Sequence, residues 1–308
     1  MRSLLIVCAC AWASSLHAQV EAPPTGPLAL LLPASTRAMA LGNAGVTGRD
    51  DDVIFYNPAQ LVNVRGGFNA SLARYGPASS LGAMSSSFTG GPLSLGWGVQ
   101  AVSYSTRRST YPFTPDVLTD RGSIAAFSMV AAVGAATTYK GFKIGTAAKY
   151  AEDRVSNGTV LRGPAELVSG MAAFDVGVAH NLWTGVAGLA VQNIGRNAPG
   201  NKPTSESPLQ ASLGWSVIKQ VGELDVGFAA QLTSRRGWIS PGAGLEAGYN
   251  WIEGYSLALR AGARRPETSA ERPFSVGAAF NADRLALEYA TQFFDGGRTA
   301  NRMTLRWR

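Results

Sequence analysis

From Gly67 onward, apolar positions alternate with small or polar ones in segments of about ten residues, separated by turn residues. The clearest segment covers 223–232. Leu224, Val226, Phe228, Ala230 and Leu232 share one face, and Glu223, Asp225, Gly227, Ala229 and Gln231 share the other. Further along, Leu285, Leu287 and Tyr289 oppose Arg284, Glu288 and Gln292. Tyr255, Leu257, Leu259 and Ala261 oppose Arg260 and Gly262, and Met303, Leu305 and Trp307 oppose Arg302, Thr304 and Arg306. A period of two belongs to a strand with two unlike faces. The pattern predicts about fourteen strands, near 67–75, 79–89, 92–105, 122–138, 141–153, 170–180, 184–194, 207–219, 222–234, 239–249, 254–264, 273–281, 283–293 and 300–308.

A β-sandwich and a transmembrane β-barrel both alternate in this way. The face opposite the apolar one is rich in Gly, Ala and Ser as well as charge, which suits the inside of a curved wall. The connections favour the barrel further. Tight turns at 89–92, 139–141, 180–185, 219–222, 250–254 and 281–283 interleave with longer links at 107–122, 154–169, 195–207, 234–241, 265–273 and 294–299. Short periplasmic turns and long outer loops alternate in outer-membrane barrels, whereas a sandwich has no reason to do so. An even strand count then places both termini in the periplasm. The first link, at Gly76-Pro77, is short where a long one is expected. Trp97, Trp183, Trp215, Trp238, Tyr249, Trp251, Tyr289 and Trp307 fall near predicted strand ends, as an interfacial aromatic belt requires.

Residues 27–66 do not read as strand. A short helical stretch near 33–41 runs into Gly42-Asn43-Ala44-Gly45, then come Asp50-Asp51-Asp52, Val53-Ile54-Phe55-Tyr56 and Asn57-Pro58-Ala59-Gln60-Leu61. A solvated tail would lack Ile54, Phe55, Tyr56 and Leu61, so the segment is expected to pack as a hatch inside the barrel. The three aspartates lack the one-residue spacing of a calcium loop. Asp51 and Asp52 are expected to meet lumenal arginines such as Arg260 or Arg302, with Tyr56, Asn57 and Pro58 placing the hatch. Gly242-Ala243-Gly244 reads as wall curvature, not as a phosphate loop, because no helix follows.

The run Arg37-Ala38-Met39-Ala40-Leu41-Gly42-Asn43-Ala44-Gly45, followed by Asp51-Asp52 and by Tyr56-Asn57-Pro58-Ala59-Gln60-Leu61, resembles the PorV/PorQ family of outer-membrane proteins, which are similar to FadL-type barrels. Asn43 and Gln60 stand where that pattern usually has glycine. Val191-Gln192-Asn193-Ile194-Gly195 and the closing 301–308 strand look like further elements of the family. The resemblance implies an all-β, fourteen-stranded barrel with an N-terminal hatch. It implies two functions. One is binding or delivery of exported proteins with a C-terminal sorting domain, together with secretion-machinery subunits. The alternative is FadL-like transport of a hydrophobic small molecule. Tyr111, Phe113, Leu118 and Leu161, in predicted outer loops, are the expected contacts for either partner.

Composition adjusts this picture in three places. Met1-Arg2-Ser3, the apolar run 4–12 and Leu16-His17-Ala18 have the form of a secretory signal peptide. The expected division is thus a signal peptide at 1–18, an N-terminal extension and hatch at 19–66, and a barrel at 67–308. Cleavage would remove both cysteines, Cys8 and Cys10, and one of the two histidines, His17. No thiolate chemistry would remain, and His180 would be the one candidate base, at a predicted periplasmic turn. No enzyme, cofactor or metal site is therefore expected. The net charge of +7 comes from scattered residues, not from a basic block. It points to outer-membrane lipid or lipopolysaccharide as a partner and away from nucleic acid.

Overall fold

The computed structural model describes residues 26–76, 79–105, 124–157, 166–197 and 207–308. The expected signal peptide, and the loop residues Tyr111, Phe113, Leu118 and Leu161, lie outside these residues.

The alternating segments form fourteen antiparallel strands: β1 (Gly67–Arg74), β2 (Ser79–Gly90), β3 (Leu93–Ser105), β4 (Ile124–Tyr139), β5 (Phe142–Asn157), β6 (Glu166–Leu182), β7 (Gly185–Asn197), β8 (Gln210–Val221), β9 (Leu224–Arg235), β10 (Trp238–Ile252), β11 (Tyr255–Arg264), β12 (Glu271–Ala282), β13 (Leu285–Phe294) and β14 (Thr299–Trp307). Each pairs with its neighbours in sequence, and β14 pairs back onto β1 from Phe68↔Trp307 to Arg74↔Asn301. Closure leaves no strand edge. Every ladder can then be satisfied within the wall, as a lipid surrounding demands.

The apolar face of the alternation points outward. Leu72, Val133, Leu245, Leu259 and Phe274 are each about 60% exposed or more on that surface. A continuous apolar exterior of this kind has no soluble solution and suits hydrocarbon. No helix among the described residues is long and apolar enough to cross a membrane. Trp97, Trp183, Tyr249, Trp251, Tyr289 and Trp307 are exposed on the outside. Trp251 stacks between Tyr249 and Phe280 at 6.3 and 6.1 Å, and Trp215 meets Trp183 edge-on at 6.5 Å.

Two sequence expectations need correction. The link at 234–241 is a two-residue hairpin, Arg236-Gly237, with φ of 46° and 84°. Positive φ at both positions makes the turn follow strand twist, so β9 and β10 continue to the tip. The long-loop end is therefore less uniform than the spacing suggested. Trp238, placed in the belt by its position near a strand end, instead points into the lumen and is buried, with the Arg265 guanidinium 3.9 Å over its ring.

The core lies inside the barrel. Residues 26–66 run along the inner wall as the helix α1 (Thr36–Ala40) and short 3-10 turns at Leu28–Leu30, Asp51–Phe55 and Pro58–Asn63. Ser35 caps α1 by accepting from the Ala38 N–H at 3.2 Å, and Asn57 caps the last turn by accepting from Ala59 N–H at 3.1 Å. Ile54, Phe55 and Leu61 pack on Ala132, Ala136, Ala147 and Ala151 of β4 and β5. Leu32, Met39 and Ala40 pack on Ala73, Leu81, Ala290 and Phe294 on the other side. The small inward residues of the strands thus leave room for the apolar residues of this segment.

Candidate functional site

The lumenal segment is fitted to the wall at glycines. A Cβ at Gly177 would sit on the Asn57 side-chain oxygen, and one at Gly145 would lie 2.5 Å from the Ala59 nitrogen. Asn57 is fully buried there, and its amide donates to the carbonyls of Val46 at 3.0 Å and Val178 at 3.3 Å. Gly42 is wedged between Gly242 and Gly262 of neighbouring strands. Gly242 and Gly244 therefore make room for the segment; curvature was the sequence-based reading. Tyr56 ties the segment to itself: its hydroxyl accepts from the Ala34 N–H at 2.9 Å and donates to the Asn43 side chain at 3.0 Å.

Charge holds the same segment. Glu246 on β10 accepts from three arginines: Arg37 of α1 at 3.0 Å, Arg49 at 2.7 Å and Arg260 of β11 at 2.5 Å. Arg306 of β14 bridges Asp50 and Glu288, each at 3.2 Å. Arg302, fully buried, donates to the carbonyls of Pro33 at 2.7 Å and Ala34 at 2.6 Å and to the Ser71 hydroxyl at 2.7 Å.

The expected partners of the acidic pair differ from those found. Asp52 accepts from Ser85 at 2.7 Å and Asp51 from Ser87, both on β2. Arg260 is taken by Glu246 and Glu288, and Arg302 by backbone carbonyls. Asp50 is the aspartate that reaches an arginine. A serine row on the inward face of β2 stands under the 3-10 turn, Arg260 lies on the distant strand β11, and Arg302, two strands from β2, is occupied by the Pro33 and Ala34 carbonyls. Burial pushes the Asp52 carboxyl up to about 6, against the weaker pull of Arg302 and the Ser85 hydrogen bond. For Asp50, burial acts the same way, but Arg306, Arg37, Arg260 and Arg49 outweigh it and hold the carboxyl low.

Space remains on both sides of this packed layer. Toward the tight-turn end is a vestibule of about 860 Å³, lined in part by Arg49, Asp50, Arg65, Arg260, Arg306 and Arg308. Toward the long-loop end is a cavity of about 60 Å³. One of its walls is the apolar strip Ala29, Leu30, Leu31 and Leu32 with Phe55; the other is polar and carries Gln210, Gln231, Thr233, Arg235, Trp238 and Ser240 of β8–β10. Lys149, which also lines it, is buried against Asp175 at 2.6 Å, beside a bulge in the β6–β7 ladder where Asn193 has φ of 59°. The strip 29–32 was missed in the sequence. Its signal is there, four apolar residues just ahead of the α1 cap, but nothing in the alternation says that it enters the lumen. The inward positions of Glu288, Arg260, Arg302 and Arg306 were legible from the period-two pattern. Among the described residues, no group of three or more His, Cys, Asp or Glu is placed to hold a metal ion.

No family model and no curated protein matches the chain. Solved structures do. The crystal structure of the Pseudomonas putida toluene transporter TodX matches with a TM-score of 0.62 at 12% identity, over 94% of this chain and 98% of that one. A Pseudomonas aeruginosa FadL homologue matches with a TM-score of 0.53 at 11% identity, over 94% of this chain and 99% of that one. The fold is that of the FadL-type outer-membrane barrels. At these identities the match establishes architecture. It does not confirm the expected resemblance to PorV/PorQ proteins, whose most specific part is the 37–61 segment.

Proposed function

We propose that this protein is an outer-membrane channel for small hydrophobic molecules and that residues 26–66 are its hatch. The observation that carries the reading is the pair Leu30 and Leu31, left half-buried where the rest of the strip Ala29–Leu32 and Phe55 packs on the wall, facing a cavity inside a closed barrel. Apolar side chains lining a water-accessible lumen are unfavourable unless something apolar covers them. A sugar or ion pore has no use for them. The fold match to a protein described as a toluene transporter supports the same direction. Asp51, Asp52, Tyr56, Asn57 and Pro58 act here as the fixing points of the hatch, joined by Asp50, Arg37 and Arg49. The tight-turn end faces the periplasm, the outer face contacts lipid, and lipopolysaccharide surrounds the loop end.

Delivery of exported proteins, the other function implied by the resemblance, would act through the outer loops, and no observation in the described residues favours it. One experiment separates the two. The protein is purified from outer membranes in mild detergent and what accompanies it is identified. A bound apolar small molecule in the lumen is the expected result. Recovery of exported proteins sharing a C-terminal domain, with an empty lumen, would sink the channel reading.

A further inference from the structure

We infer that the loop-side cavity selects an apolar molecule carrying a neutral hydrogen-bond acceptor, such as a ketone, ester or ether, over both a plain hydrocarbon and a fatty carboxylate. The inference rests on the channel reading above and names the substrate class of that channel.

The first observation is the charge balance of the lining. Its cations are Lys149, Arg235 and Arg264. Each already has a carboxylate: Lys149 has Asp175 at 2.6 Å, Arg235 has Glu267 at 2.7 Å, and Arg264 has Glu271 at 3.1 Å. All six side chains are nine-tenths buried or more. An arriving carboxylate would shed its water and find no uncompensated cation to replace it, which is costly.

The second observation is independent. Two N–H donors on lining residues lack any acceptor: Nε of Arg235 and Nε1 of the Trp238 indole. Both residues are buried, on adjacent strands at the β9–β10 hairpin, and Arg235 and Trp238 are direct partners in that ladder. Buried donors without partners are rare and costly. A hydrocarbon leaves them unpaired, whereas one carbonyl oxygen has two lone pairs and can serve both. The opposite wall, Leu30, Leu31 and Phe55, takes the alkyl part. A site built around donors discriminates most strongly against the analogue lacking the acceptor. At about 60 Å³ the space takes a head group and a few carbons, not a long chain without further opening.

The test uses the full protein in lipid nanodiscs, with empty nanodiscs as the blank. Calorimetry compares octane, methyl hexyl ketone and octanoate, each corrected for its own partition into the blank. The ketone is expected to bind roughly ten-fold tighter than either of the others, about the worth of one to two hydrogen bonds. Trp238→Phe keeps the ring under Arg265 and removes one donor; it should cut the ketone preference roughly five-fold and leave octane unchanged. Arg235→Lys keeps the charge facing Glu267 and removes the other donor, with the same expectation. Octane or octanoate binding as well as the ketone would overturn the inference while leaving the channel reading intact. Binding of none of the three would overturn both.

Discussion

Gly177 shows how closely this barrel is fitted at single positions. Its missing Cβ is the space that the Asn57 side chain occupies. Gly177→Ala should therefore displace the 57–59 turn without disturbing the strand, since Ala is acceptable in a β-wall. The expected outcome is faster proteolysis within 26–66 with an unchanged circular dichroism spectrum; equal protease resistance would contradict the fit. Asp52 gives a pH-dependent counterpart. Its folded pKa, about 6, lies above the ordinary value of 3.8 because of burial. The folded state then holds a proton that the unfolded state has lost, so the contribution of Asp52 to stability falls as pH rises from about 4 to about 6. Asp52→Asn removes that loss. Thermal unfolding in detergent should show the variant gaining on the parent between pH 4 and pH 7. A constant difference across that range would remove the argument.

The hatch segment is the element on which the reading turns. Its length has no regular period, and its helices are short: five residues in α1 and six in the 3-10 turn Pro58–Asn63. Its stability comes from the wall. Glu246 meets Arg37, Arg49 and Arg260, the last shared with Glu288. Glu246→Gln would leave the buried Arg37 without its carboxylate and Arg260 with Glu288 only, at a cost of about 3 kcal/mol or more. Loosening of the hatch is expected, read as brief current steps in planar bilayers that the parent lacks. Removal of 26–66 should produce a steady current instead, because the lumen is then water-filled. A silent bilayer after that deletion would show that the segment is not what closes the barrel. The deletion also exposes alanine-rich inner wall, so lower thermal stability accompanies the current.

At the scale of the whole molecule, closure of β1 onto β14 makes the fold a single cooperative object. Such a barrel should stay folded in cold dodecyl sulfate and shift in mobility only after boiling. A soluble, detergent-free monomer would be incompatible with the exposed Leu72, Leu245 and Phe274 surface. The two compartments, about 60 and 860 Å³, lie on opposite sides of the packed hatch layer. In the proposed channel, a molecule would meet the small space before the large arginine-lined one, and the proposed hatch would have to yield between them.

What the sequence determined is the wall. Strand alternation is local, so all fourteen strands could be placed, with ends shifted by a few residues, and the inward positions of Glu288, Arg260, Arg302 and Arg306 followed from parity. That residues 27–66 pack instead of trailing in water was legible in kind, since Ile54, Phe55 and Leu61 would not remain exposed. Its contacts were not. Asp51 and Asp52 met serines and Asp50 met the arginine, because which inward side chain a lumenal residue reaches depends on strand register around a closed ring. Arg236-Gly237 was read as part of a long link because turn residues mark a turn without giving the length of the hairpin around it. Trp238 changed from belt to cavity for a related reason: one step of parity at the end of a strand decides between lipid and lumen. The alternation sets the barrel residue by residue. Only the closed ring, by bringing β2, β10 and β14 around one segment, decides what the lumen holds.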